Sequence, residues 1–119
     1  KKKKIFEQSY PSVKIEFKIL KGLADTLNVK DDDFCQRLVD WGDIIRKTFY
    51  DGGIEEIIST RRLVHIIRAY AIFKNKAKAI EVCVNRFDDE TKQAFMELYD
   101  KVDADVDFEK TEIDTIPNV

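Results

Sequence analysis

The feature that most constrains the fold is a stripe of large apolar residues in the middle of the chain. Its members recur at intervals of three or four residues: Phe34, Leu38, Trp41, Ile45 and Phe49. This spacing predicts the buried face of a long helix, with Trp41 as a core anchor. Only four Gly and two Pro are present, too few for the many tight turns of an all-β fold. We therefore predict an all-α fold, a small helical bundle.

The segment before this stripe permits two structures. Ser12 is a good N-cap, and the apolar residues after it fit a helix that ends at Gly22. Ile15, Phe17 and Ile19 also alternate as they would in a strand. The helix is the favoured prediction. The long central helix follows, with negative charge at its start in Asp31–Asp33 and Asp51-Gly52-Gly53 at its end.

Three more helices are predicted in the second half of the chain. Ser59 and Asp88 are well suited to cap two of them, and the segment between these two helices has a weaker helical pattern. The predicted ranges are residues 59–73, 77–84 and 88–102.

The two ends of the chain differ from the centre. Lys1–Lys4 is basic, Ile5–Tyr10 has the pattern of an extended lead-in that stops at Pro11, and Asp103–Asp114 is acidic. We interpret the charged runs as solvated tails. The predicted division is 1–11 as a linker or the end of a preceding domain, 12–102 as one helical domain, and 103–119 as a loose acidic tail.

The composition excludes several classes of function. The 21 basic and 23 acidic residues leave a net charge of −2, which gives no overall attraction to nucleic acid. Cys35 and Cys83 form no C-x-x-C pair, so neither a zinc site nor a disulfide framework is predicted. No apolar run approaches the roughly 18 residues that would span a bilayer, and we expect a cytoplasmic protein. The only Met is Met96, which suggests that the chain is part of a longer protein.

Most catalytic motifs are absent from these residues. The glycines at positions 22, 42, 52 and 53 cannot form the G-x-x-x-x-G-K-[ST] loop that binds a triphosphate. His65 is the only histidine, and we expect it to lie beside the core face of its helix in a structural role. The acidic pairs Asp31-Asp32 and Asp88-Asp89 stand at helix starts, where capping explains them.

Two arginines break a local rule of helix design. Arg61 and Arg62 follow Ser59-Thr60 in the first turn of a predicted helix, where free N–H groups and the helix dipole already make the surroundings positive. An anion such as a phosphate would meet N–H groups, dipole and guanidinium groups together. The alternative is an ordinary surface cluster in which both arginines pair with Glu55 and Glu56.

Several short motifs resemble the C-terminal part of MoxR-type AAA+ ATPases, and within them the cobaltochelatase S-subunit-like branch. The similarity spans roughly residues 5 to 102. It is carried by Tyr10-Pro11, Ile19-Leu20, Ser59-Thr60-Arg61, Ala71-Ile72-Phe73, Val84-Asn85-Arg86-Phe87-Asp88-Asp89-Glu90 and Glu97-Leu98-Tyr99.

This resemblance implies a helical lid that follows a nucleotide-binding core in the chain. It implies that Arg61 is the sensor 2 arginine that contacts the γ-phosphate of ATP, with Arg62 as the second candidate. The core would hold ATP and Mg²⁺, and the subunits would form a homo-oligomeric ring, a hexamer, that remodels a partner protein. The chain alone would not be an enzyme. The P-loop, the Mg²⁺-binding motif, sensor 1 and the arginine finger do not occur in these residues.

Two other functions compete with the ATPase lid. A free-standing helical module could recruit a protein or nucleic acid through its charged ends, with Lys1–Lys4 as its only support. A P-loop encoded upstream of Lys1 would favour the ATPase, and a start codon there would favour the module. An enzyme for small molecules ranks third, because no convergent catalytic set is visible.

Overall fold

The computed structural model describes residues 11–104 and 106, and these residues form an all-helical bundle. The predicted lead-in over Ile5–Tyr10 and most of the predicted acidic tail lie outside the described residues. No strand occurs within the described part, which confirms the all-α prediction. The helices are α1 Val13–Thr26, α2 Asp32–Tyr50, α3 Thr60–Phe73, α4 Lys76–Val84 and α5 Asp89–Val102.

Each helix begins at a residue whose side-chain oxygen accepts a hydrogen bond from a backbone N–H in the first turn. These caps satisfy donors that have no partner inside a helix. The sequence predicts N-caps at Ser12, Ser59 and Asp88. It predicts negative charge at a helix start for Asp31, and it does not predict the cap at Asn75. The caps are Ser12, Asp31, Ser59, Asn75 and Asp88.

α1 differs from the prediction in two respects. It continues past Gly22 to Thr26, because Ala24 is buried and extends the packed face by another turn. The predicted end at Gly22 was therefore wrong. The buried residues of α1 are Glu16, Leu20 and Ala24 rather than an entirely apolar set. A carboxylate thus lies on the packed face of this helix.

α2 lies in the centre and packs against α1, α3 and α5. Trp41 is fully buried, and its Nε1–H donates a 2.8 Å hydrogen bond to the carbonyl oxygen of Phe95 in α5. The Trp41 ring also packs edge-on against Tyr99, with ring centroids 5.3 Å apart. Trp41 is therefore a core anchor, as predicted. None of the described helices is both long and apolar enough to cross a bilayer.

Cross-helix hydrogen bonds define the direction of the helices. Thr60 at the start of α3 bonds to Glu16 near the start of α1, whereas Tyr70 near the end of α3 bonds to Asp31 at the start of α2. α1 and α3 are therefore parallel, and α2 runs the opposite way. We call the end that contains the starts of α1 and α3 the Arg61 end. The end that contains Asp31 and Tyr70 is the far end.

Candidate functional site

The start of α3 is organised by its own sequence. The Oγ atom of Ser59 accepts a 3.3 Å hydrogen bond from the N–H of Arg62, which closes the first turn. No acidic residue of α3 itself lies in that turn, and the carboxylate that contacts it, Glu16 of α1, is paired with Arg46. The cap predicted at Ser59 is confirmed, and Arg61 and Arg62 lie at a positive helix start.

The two arginines have different surroundings. Arg61 is exposed, whereas Arg62 is half-buried and its guanidinium lies over the Phe87 ring, 5.5 Å from the centroid. A cation–π contact of this kind restrains Arg62 against the segment between α4 and α5. Among the described residues, neither arginine forms an ion pair with Glu55 or Glu56, which are exposed. Arg61 is thus the arginine that can reach away from the bundle.

A buried ion pair lies beneath this helix start. Arg46 Nη1 is 2.9 Å from Glu16 Oε1, and Arg46 Nη2 is 2.7 Å from Glu16 Oε2. Glu16 is 0% exposed and Arg46 is 7% exposed. Removing two such charges from water is costly, so the parallel hydrogen bonds are needed to hold them.

Two groups from the α2–α3 region complete the network. The Nε–H of Arg46 donates a 3.1 Å hydrogen bond to the carbonyl oxygen of Ile58, and the Thr60 hydroxyl donates a 2.7 Å hydrogen bond to Glu16 Oε2. A Cβ atom at Gly42 would lie 3.6 Å from Arg46 Nη2 and 3.2 Å from a methyl carbon of Leu63. The close contact is with Leu63, so glycine at this position mainly avoids crowding that side chain, whereas 3.6 Å from the guanidinium is an ordinary van der Waals distance.

Sequence reasoning missed Glu16 and Arg46 because both lie within amphipathic helices and resemble surface charges. One signal was available for each residue. Glu16 falls four residues before Leu20 and eight before Ala24, and Arg46 falls seven residues after Val39 and eleven after Cys35, so each lies in line with buried positions of its helix. A charge in line with an apolar face is a sign of a buried polar contact.

His65 does not lie where it was predicted. It is exposed, on the side of α3 away from the buried residues Leu63, Ile66 and Ile67. The expectation that it lies beside the core face was wrong, because a helix places position 65 nearly opposite position 63. Within residues 11–104 and 106, no group of three or more Cys, His, Asp or Glu residues is arranged to hold a metal ion.

A family model decides the classification. The model for the CbbQ/NirQ/NorQ C-terminal domain matches residues 19–102, which is more than half of the chain. This chain belongs to the CbbQ/NirQ/NorQ C-terminal family. The match shows that the bundle is the lid domain of a MoxR-type AAA+ ATPase. The cobaltochelatase S-subunit-like branch stays a prediction, because the family model does not specify it.

The matched range of the CbbQ/NirQ/NorQ C-terminal domain extends from α1 to the last residue of α5 and includes Arg61 and Arg62. It assigns no role to either arginine. No curated protein matches the chain significantly. No solved structure matches it significantly either.

Proposed function

We propose that this lid senses the nucleotide state of an AAA+ ATPase through Arg61, acting as the sensor 2 arginine. The observation that carries the proposal is an exposed arginine at the positive start of α3 in a chain of this family. ATP, with its Mg²⁺ held by the nucleotide-binding core, would supply the terminal phosphate. Arg61 binds that phosphate, and Arg62 contributes positive charge nearby.

The chemistry of the helix start fits an anion. Arg61 supplies a guanidinium, and the first N–H groups of α3 point out of the helix beside it. Charge-assisted hydrogen bonds from these donors to a phosphate are about twice as strong as neutral ones. Arg62, held at Phe87, keeps its charge near the site with less freedom to move. This difference supports Arg61 as the principal contact and Arg62 as the second one.

The direction of the chain also supports the proposal. Pro11 and Ser12 lead into the start of α1, and Glu16 in the first turn of α1 is bonded to Thr60 at the start of α3. A core joined at this end of α1 would be attached on the same side of the lid as Arg61. A phosphate bound by that core could then contact Arg61 directly.

Nucleotide sensing then couples to assembly. While the terminal phosphate is present, Arg61 holds the lid against the core. After hydrolysis, Arg61 has lost its anion, and the lid is released. We propose that this motion controls the packing of subunits in a cytoplasmic homo-oligomeric ring, a hexamer, which remodels a partner protein.

The test is Arg61→Ala in the full-length ATPase that carries this lid. We expect kcat/KM for ATP to fall by at least about tenfold, because a charge-assisted hydrogen bond contributes about 1.5–3 kcal/mol. The free energy of unfolding should change by less than about 0.5 kcal/mol, as expected for an exposed residue. Nucleotide-dependent assembly is followed by size-exclusion chromatography with ATP and with ADP.

Arg68→Ala is the matched control, because Arg68 is an exposed arginine two turns further along α3. It should leave hydrolysis and assembly unchanged. The sensing role would be contradicted if Arg61→Ala and Arg68→Ala had equal effects. It would also be contradicted if neither changed hydrolysis or assembly.

A further inference from the structure

We propose that Thr60 and Glu16 are positioning residues, which set the location of Arg61 relative to the point where the chain enters the lid. This inference rests on the sensing role proposed for Arg61. It adds a defined contact through which the start of α1 controls the start of α3.

The contact is direct and anchored. Thr60 is the first residue of α3 and immediately precedes Arg61 in the chain. Its hydroxyl donates a 2.7 Å hydrogen bond to Glu16 Oε2, and Glu16 is itself held by Arg46 through both carboxylate oxygens. A fully buried carboxylate with two fixed partners has little freedom to move. Thr60 is therefore attached to a rigid point.

This bond is separate from the cap of the helix start. Ser59 already caps α3 through the N–H of Arg62, and Arg46 already satisfies both oxygens of Glu16. What the Thr60 hydroxyl adds is a link between two helices at the residue next to Arg61. Glu16 lies one turn after Ser12, the N-cap of α1. The hydrogen bond therefore connects the first turn of α1 to the residue that precedes Arg61. A misplaced catalytic or binding group can lose much of its effect after a shift of about 1 Å.

The experiment uses the full-length ATPase and compares Thr60→Val, Arg61→Ala and the double variant. Valine has nearly the shape of threonine and replaces the hydroxyl with a methyl group, which cannot donate to Glu16. We expect Thr60→Val to lower kcat/KM for ATP by about threefold to tenfold, the range that corresponds to one net hydrogen bond. In the Arg61→Ala background, Thr60→Val should have no additional effect, because its influence acts through Arg61. Thr60→Ser, which keeps the donor, should recover most of the activity.

Thr48→Val is the matched control. The Thr48 hydroxyl is half-buried and donates a 2.8 Å hydrogen bond to the carbonyl oxygen of Ile44 within its own helix. Its removal should leave ATP hydrolysis unchanged. Circular dichroism of each variant during heating measures whether any loss of activity follows a loss of folded protein.

The outcomes separate the two proposals. If Arg61→Ala lowers hydrolysis and Thr60→Val does not, the positioning role is overturned and the sensing role stands. If the two effects multiply in the double variant, Thr60 acts independently of Arg61, which also overturns the positioning role. If Arg61→Ala has no effect, the sensing role fails and the positioning role fails with it.

Discussion

The Tyr70 hydroxyl donates a 3.0 Å hydrogen bond to Asp31 Oδ2 and thereby joins the last turn of α3 to the start of α2. Asp31 also caps α2 by accepting from the N–H of Phe34 at 3.0 Å, and its carboxylate is 3.4 Å from Lys76 Nζ in α4. One carboxylate thus connects three helices at the far end. Together with the Thr60–Glu16 bond, it attaches α3 at both ends.

The contacts of Asp31 predict a pH dependence of stability. Burial raises the pKa of its carboxyl, but the Phe34 N–H, the Tyr70 hydroxyl and the charge of Lys76 outweigh burial and lower the pKa below its ordinary value. A carboxylate with a lowered pKa stabilises the folded state above the unfolded pKa and loses that effect as the pH falls through the folded value. Asp31→Asn should therefore lower the free energy of unfolding by about 1 kcal/mol at pH 7.

Urea unfolding at pH 7 and at pH 3 measures this effect. The difference between Asp31→Asn and the unmodified chain should shrink at the lower pH. Asp88→Asn is the control, because Asp88 caps α5 through Thr91 and its described contacts do not reach another helix. A loss at Asp88 equal to that at Asp31 would mean that the cross-helix contacts contribute nothing.

The buried Arg46–Glu16 pair predicts a large loss of stability when one partner is removed. Arg46→Met leaves the Glu16 carboxylate buried without its cation, which costs about 3–5 kcal/mol in comparable cases. Lys47→Met is the control, since the neighbouring Lys47 pairs with Asp43 at 2.9 Å but is 73% exposed. That surface pair should contribute less than about 1 kcal/mol. Urea unfolding followed by circular dichroism compares the two, and equal losses would contradict the structure.

The two cysteines predict slow chemical modification of the folded lid. Burial raises the pKa of Cys83 to about 11, and burial together with nearby Asp32 raises that of Cys35 to about 11. Because the thiolate is the reactive form, both residues should react slowly with a disulfide reagent at pH 8. In guanidinium chloride both should react at the rate of an ordinary thiol. Rapid labelling of either cysteine in the native lid would show that its side chain is not enclosed.

Within residues 11–104, periodicity and capping predicted the number and order of the helices, because both are local properties. Trp41 and its stripe identified the centre of the core for the same reason. The predicted end of α1 at Gly22 is wrong because the packing of Ala24 carries the helix on to Thr26. A sequence pattern cannot show that tertiary contact.

The candidate site was predictable only in part. Arg61 and Arg62 stand out because cations at a helix start conflict with a local electrostatic rule. The contact of Arg62 with Phe87 and the pairing of Glu16 with Arg46 join residues far apart in the chain. Their partners are fixed by the packing of helices, so the sequence shows the charges without showing which of them meet.

α1 and α3 run parallel from the same end of the lid, and in the proposed sensing role a rotation about that end would begin beside Arg61. α3 has 14 residues and is therefore about 21 Å long. A rotation of about 15° around the start of α1 would displace the last turn of α3 by about 5 Å, while Arg61 would move far less. The apolar side chains of Ile72 and Phe73, which are 76% and 45% exposed, lie at the end that travels furthest. Under the proposed sensing role, a small change at the phosphate would therefore become a large change at the opposite surface.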